Sequence, residues 1–307
     1  MRYRFHTLDV FTDQPFSGNP LAVLPEASGL TAAQMQTLAR EFNLSETVFI
    51  LPPRDPAHTH TLRIFTPTAE LPFAGHPTLG AAWLLTALGA IPLQEPTTTL
   101  VFEEGVGPVT AEITVDRGQP TFARLAAAQM PVQGPTPPEP ALLAEVLTLE
   151  IVDLADGDGR PETWSGGVPF LCVPLRDRTA LRRARLNQER WAATLADQAW
   201  MSQVYPFCGG PADPTQFHVR MFAPALGVAE DPATGAAAVA FAGYLARQAG
   251  SKTGRQRWQL MQGEDFGRPS RLTVEAEWTE GQLRSVWVGG AAVLMSTGEI
   301  DVPELPA

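Results

Sequence analysis

The chain has 307 residues, of which 44% are hydrophobic and 18% charged, as is typical of a soluble protein with material for a sizeable core and about two domains. Its formal net charge of −11 argues against a nucleic-acid partner, because binding to a phosphate backbone needs a basic surface. The two cysteines give no disulfide framework, the start "MRYRFHTLDVF" lacks the apolar core of a signal peptide, and no apolar run approaches the ~20 residues of a membrane span. We therefore expect a cytoplasmic protein with neither a membrane nor a nucleic-acid partner.

The first half of the chain predicts a strand, a helix, two strands, a second helix and a strand pair, in that order. A turn and a strand are expected in "GNPLAVL", and Thr31 and Gln34 form a capping box that opens the helix "TAAQMQTLAREFN". Asn43 is a suitable left-handed terminator for that helix. Alternation then predicts strands in "SETVFIL" and "HTLRIFTP", and a pair of strands in "TTLVFEEG" and "PVTAEITV".

The second helix of this half begins within "ELPFAGHPTLGAAWLL", residues 70–85. Pro77 has no backbone N–H and a fixed φ, so it belongs in the first turn of a helix. Gly89 and Pro92 are expected to end that helix. Its residues are apolar on nearly all sides, which predicts a buried helix, and His76 stands at its amino-terminal end.

The second half of the chain repeats this order. A strand in "GGVPFLCVPL", a helix in "LNQERWAATLADQ" and strands in "MSQVYPFC" and "FHVRMFAP" precede a second apolar helix after "EDPATG". Two further strands, "RWQLMQG" and "RLTVEAEW", complete the copy. The repeat predicts an α+β protein of two pseudo-symmetric domains, each a β-barrel-like sheet wrapped around a central apolar helix. We expect domains at 1–118 and 119–292, with a strand near 293–303 as a candidate to return to the first.

The starts of the two apolar helices, Gly75–Thr78 and Asp231–Thr234, are expected to face one cleft. The amino end of a helix carries about half a positive charge and N–H groups without helical partners, so it holds anions. The pattern therefore predicts a small carboxylate as the ligand.

Three ionisable residues are candidates for chemistry there, and each has a plainer alternative. His76 can donate, accept or titrate near neutrality, but a lone histidine is often structural. Asp231 precedes a proline and is equally suited to be a helix N-cap. For Glu46, in "NLSETVF", the pattern alone favours a solvated charge at the end of a strand.

Other motifs give no site. The sequence has no phosphate-binding glycine loop, nucleophile elbow or zinc-protease helix. His58 and His60 form a His-x-His pair without a third ligand nearby, and nothing around Cys208 indicates a low-pKa thiol. We therefore expect neither a metal nor a nucleotide cofactor.

Several segments carry a resemblance to a known family. They are "LDVFTDQPFSGNPLAVL", "AREFNLSETVF", "RIFTPTAELPFAGHPTLGAA", "MFAPALGVAEDPATGAAA" and "GRPS", and together they extend over nearly the whole chain. In these segments the chain resembles the phenazine-biosynthesis PhzF-like family, which shares the fold of diaminopimelate epimerase.

The resemblance implies an isomerase that needs no cofactor or metal and forms a homodimer. Glu46, in the NLSE motif, would act as general acid and base and move a proton within a small cyclic carboxylate. His76 and Asp231 would hold and polarise this substrate. The substrate-binding positions would be Asn19, Ser45, Gly75, Pro77, Thr78, Thr234, Gly235 and Ala236.

Two departures from the relatives bear on the substrate. Diaminopimelate epimerase uses cysteines at the two helix starts, where this chain has Gly75 and Asp231, so epimerisation by two thiols is disfavoured. The phenazine enzyme of the family has a serine where this chain has Ala236, which removes a possible substrate contact. Two alternatives stay open: an amino-acid racemase or epimerase with a second acid/base group, and a carboxylate-binding protein without turnover.

Overall fold

A computed structural model describes residues 1–155, 159–210, 212–249 and 253–302. The chain divides into two compact units: unit 1 is Met1–Ala126 with the chain from Gly289 onward, and unit 2 is Ala127–Val288. The first boundary, expected at residue 118, lies at 126 because the strand Gln119–Ala126 pairs with the strand before it. The chain returns to unit 1 at Gly289 rather than 293, and residue 303 of the expected returning strand lies outside the described residues.

The helices of unit 1, within the residues that the structure describes, are α1 (Ala32–Phe42) and α2 (Gly75–Ala87). Its strands, numbered along the whole chain, are β1 (Arg2–Val10), β2 (Asn19–Leu24), β3 (Glu46–Leu51), β4 (His60–Phe65), β5 (Glu70–Leu71), β6 (Thr97–Glu104), β7 (Gly107–Asp116), β8 (Gln119–Ala126) and β17 (Ala292–Asp301). β17, β1 and β2 are antiparallel neighbours, β2 is parallel to β3, and β3 is antiparallel to β4. β4 is parallel to β6, and β6, β7 and β8 form an antiparallel meander.

The core of unit 1 is α2. Its residues 76–82 and 84–86 are buried, and it contacts β1, β2, β3, β7, β8 and β17. The helix approaches β2 closely at Gly80, where a Cβ atom would lie 2.4 Å from Leu21 Cδ2. Its all-round apolar sequence is therefore explained by strands on several sides, because each buried Leu side chain stabilises the fold by ~1.5–3 kcal/mol relative to an exposed one. The predicted central helix is confirmed.

In the described part of unit 2 the α-helices are α3 (Pro140–Val146), α4 (Arg178–Arg183), α5 (Gln188–Thr194) and α6 (Gly235–Ala249). Its strands are β9 (Val132–Gln133), β10 (Glu162–Ser165), β11 (Pro169–Pro174), β12 (Val204–Gly209), β13 (Gln216–Val219), β14 (Gly254–Gln262), β15 (Ser270–Thr279) and β16 (Gln282–Gly290). Short 3-10 helices lie at Ile151–Asp153, Pro224–Leu226 and Glu264–Phe266. α6 contacts β9, β10, β11 and β15, so unit 2 also packs its strands on its own apolar helix.

The two units repeat one topology. In unit 1 the pairings along β1, β2, β3, β4, β6 and β7 alternate antiparallel, parallel, antiparallel, parallel and antiparallel. In unit 2 the pairings between successive strands from β10 to β15 alternate in the same order, beginning and ending with an antiparallel pair. The apolar helix also occupies the same place in the order of elements, since α2 precedes β6 in unit 1 and α6 precedes β14 in unit 2. The duplication predicted from the sequence is confirmed at the level of strand pairing.

α1 shows how local sequence sets an element's ends. Thr31 and Gln34 form the reciprocal capping box, and Asn43 ends the helix with φ 51° and donates its N–H to Ala39. Both features were predicted. The proline-rich stretch 132–140 contains β9 and the first residue of α3. Within the described ranges, no helix has the length and apolar character needed to cross a bilayer.

Candidate active site

The structure brings two of the predicted catalytic side chains together in unit 1. Glu46 is the first residue of β3, where the parallel pairing with β2 sets it opposite Leu21. His76 is the second residue of α2. Their side chains meet with Nε2 of His76 3.4 Å from Oε2 of Glu46, and they are 6% and 17% exposed respectively. A strand start and a helix start thus place a carboxyl group against an imidazole.

His76 is a neutral imidazole in this position. Burial lowers its pKa to about 3, although a hydrogen bond to the backbone of Pro20 opposes this shift. Proline has no N–H, so the ring must donate to the carbonyl oxygen of Pro20. The nitrogen that faces Glu46 is then the unprotonated one and acts as a hydrogen-bond acceptor. The contact between the two side chains is therefore not an ion pair at neutral pH.

The other site residues predicted in unit 1 lie on α2, directly before β3, or on β2, which pairs with β3. Asn19 is the buried first residue of β2, and Ser45 directly precedes β3. Gly75, Pro77 and Thr78 lie in the first turn of α2. Ala74, the N-cap of α2, makes no side-chain hydrogen bond to that turn, so the helix start carries no internal cap that would occupy its donors.

The site residues predicted in unit 2 form a second group. Asp231 Oδ2 accepts a 2.5 Å hydrogen bond from the Thr234 hydroxyl. α6 begins at Gly235, so Gly235 and Ala236 lie in its first turn. The expectation that Asp231–Thr234 opens the helix holds only at Thr234, whose carbonyl accepts the N–H of Ala238. Residues 231–233 form a short irregular segment before the helix, and the backbone N–H of Asp231 donates to Met221.

One support of this segment, an ion pair between Arg220 and Glu230, was not foreseen from the sequence. The buried Arg220 makes a two-pronged ion pair with Glu230, with both N–O distances 2.7 Å, and it also donates to the carbonyls of Leu181 and Ala184. A buried guanidinium is tolerated when its donors are satisfied in this way. The adjacent residue Asp231 is thereby fixed in place. The one available signal was the position of Glu230 beside Asp231 in "EDPATG".

The start of each apolar helix, α2 and α6, is also hydrogen-bonded to the last residue of a strand. In unit 1, Thr78 Oγ1 lies 2.7 Å from Oε1 of Glu104, the last residue of β6. In unit 2, Thr234 Oγ1 accepts a 3.0 Å hydrogen bond from Gln262, the last residue of β14. Glu104 and Gln262 are both buried, and neither was a predicted site residue.

The remaining candidates from the sequence show no second site. His58 contacts the carboxylate of Glu103 at 3.1 Å, and among the described residues no group of three or more His, Cys, Asp and Glu side chains is arranged to hold a metal ion. Burial raises the pKa of the Cys208 thiol to about 11, so this side chain is not a thiolate at neutral pH.

Comparison with known proteins identifies the family. Residues 8–298 match the PhzC-PhzF family model, described as phenazine biosynthesis-like protein. The chain is 38% identical to a protein of Mesorhizobium japonicum named as an uncharacterized isomerase, with 95% of this chain and 96% of that one covered. It is 36% identical to the trans-2,3-dihydro-3-hydroxyanthranilate isomerase of Pseudomonas chlororaphis, with 97% and 99% covered.

A solved structure agrees with these relatives. The phenazine biosynthesis protein of the PhzF family from Bacillus anthracis has a TM-score of 0.86 and 25% identity, with 98% of this chain and 100% of that chain covered. The chain belongs to the PhzC-PhzF family and is an isomerase. The fold expected from the resemblance is confirmed.

Proposed function

We propose that the chain moves a proton from one carbon to another within a small cyclic carboxylate, with Glu46 as both general base and general acid and without a metal or cofactor. The observation that carries the proposal is the contact between Glu46 and the buried, neutral His76. The name of the P. chlororaphis relative, an isomerase of a cyclic amino-carboxylate, supports this substrate class.

One carboxyl group is sufficient for such an isomerisation. As a carboxylate, Glu46 takes a proton from a substrate carbon: the C–H bond breaks, an O–H bond forms on Glu46, and the electron pair moves into the substrate's conjugated system. As a carboxylic acid, Glu46 returns that proton to a different carbon of the same system. No oxidant, reductant or second substrate is consumed, and Glu46 is regenerated as a carboxylate.

His76 suits a supporting role in this reaction. Its Nε2 is an acceptor 3.4 Å from Glu46, so it accepts a hydrogen bond either from protonated Glu46 or from an amino or hydroxyl group of the substrate. Its fixed neutral state means that it does not compete with Glu46 for the transferred proton. Orientation of this kind contributes to rate because the reacting atoms are already close.

The first turn of α2 is the proposed binding place for the substrate carboxylate. Gly75 contributes an N–H group without a Cβ atom, and the helix start favours negative charge. Asn19, Ser45, Pro77 and Thr78 are proposed to line the same turn. The roles predicted for Asp231, Thr234, Gly235 and Ala236 stay predictions.

The test is deuterium exchange from solvent into substrate carbon. The substrates are trans-2,3-dihydro-3-hydroxyanthranilate and a panel of other small cyclic carboxylates, since Ala236 leaves the substrate open. Glu46→Gln preserves shape but cannot cycle a proton, so we expect exchange to fall by ~10²–10⁴-fold while substrate affinity stays within a few-fold. Glu41→Gln, an exposed residue of α1, is the matched control and should exchange at the rate of the unmodified protein.

Two outcomes would contradict the proposal. Exchange by Glu46→Gln at the unmodified rate would remove Glu46 as the acid/base, and Asp231 would become the leading candidate. Absence of exchange with every carboxylate of the panel would favour a binding protein without turnover.

A further inference from the structure

The hydroxyl group of Thr78 is shared between two oxygen atoms. Thr78 Oγ1 lies 2.9 Å from the carbonyl oxygen of Ala74 and 2.7 Å from Oε1 of Glu104. Both are ordinary O–H···O distances, but a hydroxyl group has only one proton. An ionised Glu104 and the Ala74 carbonyl would therefore compete for this one proton. A protonated Glu104 removes the competition, because it can donate to Thr78 Oγ1 while the Thr78 hydroxyl donates to Ala74, so that both short contacts are hydrogen bonds.

The surroundings of Glu104 also favour the neutral acid. Its side chain is 4% exposed, and among the described residues no cationic side chain pairs with it. Burial raises the pKa of Glu104 to about 8, against an opposing contribution from the Thr78 hydrogen bond. A buried carboxylate with no cation and at most one hydrogen-bond donor would be costly.

The charged side chains near Glu104 form ion pairs among themselves. They lie on β6 itself, on its neighbouring strand β4, on β5 and on the loop after β3. Together they line a cavity of about 570 Å³ and a smaller one beside it. Arg63 pairs with Glu70 at 2.6 Å, and Arg54 pairs with Glu103 at 3.0 Å. The titratable residue of α2 is His76, which is neutral. The full set lining the two cavities is Arg54, Asp55, His58, Arg63, Glu70 and Glu103.

The second copy of the fold contains a neutral group at the matching position. Gln262 ends β14 as Glu104 ends β6, and each is followed by a glycine. Gln262 accepts from the backbone N–H of Thr234 through Oε1 and donates through Nε2 to the Thr234 hydroxyl oxygen. That hydroxyl in turn donates to Asp231. The same chain of donors in unit 1 runs from Glu104 to Thr78 to Ala74, provided that Glu104 is protonated.

We propose that Glu104 is a positioning residue that acts as a neutral carboxylic acid, donating to Thr78 so that the first turn of α2 is held in place and its positive end stays free for the substrate carboxylate. This inference rests on the proposed function, because it concerns the same anion-binding turn. An ionised Glu104 would place a negative charge beside the turn that contains Gly75 and His76. That charge would oppose an incoming carboxylate.

The protonation state is tested in the protein without substrate. Glutamate labelled with ¹³C at the side-chain carboxyl is followed by NMR from pH 5 to pH 10, and the resonance absent from Glu104→Gln is assigned to Glu104. We expect it to titrate near 8 rather than at the usual 4.5. A titration near 4.5 would overturn the proposal. So would unfolding of Glu104→Gln at pH 6.5, since the amide is the closest replacement for a neutral acid.

The effect on binding is tested with anthranilate as the probe, by calorimetry at pH 6.5 and pH 9.5. For the unmodified protein we expect the Kd to rise about tenfold at the higher pH, which corresponds to ~1.4 kcal/mol. For Glu104→Gln the Kd should change less than twofold. Glu70→Gln removes an accessible carboxylate of the same cavity and should behave like the unmodified protein.

The outcomes separate this inference from the proposed function. An equal pH dependence in Glu104→Gln and the unmodified protein would overturn the role of Glu104 in binding, even if Glu46→Gln abolishes deuterium exchange. Failure of all variants to bind anthranilate at pH 6.5 would count against the carboxylate site and against the electrostatic role together. The NMR titration would still decide the protonation state of Glu104.

Discussion

At the scale of single residues, desolvation sets the chemistry of His76 more than any neighbouring charge does. Its side chain is 6% exposed, and the carboxyl of Glu46 3.4 Å away does not prevent burial from lowering the histidine pKa to about 3. The imidazole therefore has one fixed tautomer across the physiological range. An acceptor of constant charge beside Glu46 suits a reaction in which Glu46 itself must change charge twice.

His76 is accordingly expected not to titrate between pH 8 and pH 5. In ¹⁵N NMR of histidine-labelled protein, its ring should stay in one neutral tautomer, with the proton on the nitrogen that bonds Pro20. The resonances are assigned by their loss in His76→Gln. A midpoint between pH 5 and pH 7 would contradict the fixed-acceptor role, and the proton on Nε2 would reverse the hydrogen-bond direction towards Glu46.

Two consecutive residues, Glu103 and Glu104, show how strongly position decides protonation. The carboxylate of Glu103 accepts hydrogen bonds from the Thr61 hydroxyl and from the backbone N–H groups of Asp55 and Arg54, which hold its pKa well below the usual range. Glu104 points to the other face of β6, towards α2, and its burial has the opposite effect. Widely separated carboxyl pKa values indicate distinct roles: Glu103 anchors a loop, and Glu104 belongs to the helix start.

At the scale of elements, α1 is the helix whose ends depend most directly on local sequence. Thr31 accepts from the N–H of Gln34 at 3.2 Å, and Gln34 accepts from the N–H of Thr31 at 2.9 Å. These bonds satisfy donors that have no partner within the helix. The helix packs Met35 and Leu38 into a hydrophobic cluster with residues such as Leu24, Phe49 and Phe65, so its first turn contributes to the stability of the unit.

Thr31→Ala is expected to lower the free energy of unfolding by ~1 kcal/mol, because it removes the cap without changing the buried face of α1. Thr37→Ala is the matched control, since Thr37 is an exposed residue of the same helix whose hydroxyl donates to the Ala33 carbonyl within that helix. Urea denaturation should show a change within ~0.5 kcal/mol for the control. Equal losses in the two variants would contradict the capping argument.

Sequence reasoning was sufficient where an element's ends depend on neighbouring residues, as in α1, and where apolar character extends all round a helix, as in α2. It failed at the start of α6, where proline and aspartate suggested a helix cap. There the backbone of Asp231 bonds Met221 and Gln262 bonds both Asp231 and Thr234. These partners are distant in sequence and depend on strand pairing. Glu104 was missed for the same reason, because only the fold brings it to Thr78.

At the scale of the whole molecule, the duplicated topology gives each unit the same hydrogen bond between a strand end and a helix start. A central apolar helix begins beside a threonine, and the last residue of the following strand bonds that threonine. In unit 2 this residue is an amide, which never titrates. In unit 1 it is a carboxyl group, so only unit 1 gains a pH dependence from it.

The sign of that dependence follows from linkage. The folded state holds the Glu104 proton up to a pKa of about 8, whereas the unfolded chain releases it near 4.5. Between these values the folded state binds more protons than the unfolded state, so stability falls as pH rises. The stabilisation is fully present below 4.5, declines by ~1.4 kcal/mol for each pH unit, and is lost above 8.

The unmodified protein should therefore lose stability relative to Glu104→Gln as pH rises from 5.5 to 7.5, by ~1.4 kcal/mol per pH unit, and the difference should level off above pH 8. Urea denaturation followed by circular dichroism at four pH values measures it, and other titrating groups cancel in the comparison. Glu70→Gln, whose carboxylate is accessible and paired with Arg63, should run parallel to the unmodified protein. A constant difference between the unmodified protein and Glu104→Gln would mean that Glu104 is ionised in the folded state. The hydrogen bond to Thr78 would then run in the opposite direction, and the first turn of α2 would carry an internal negative charge in place of a free anion site.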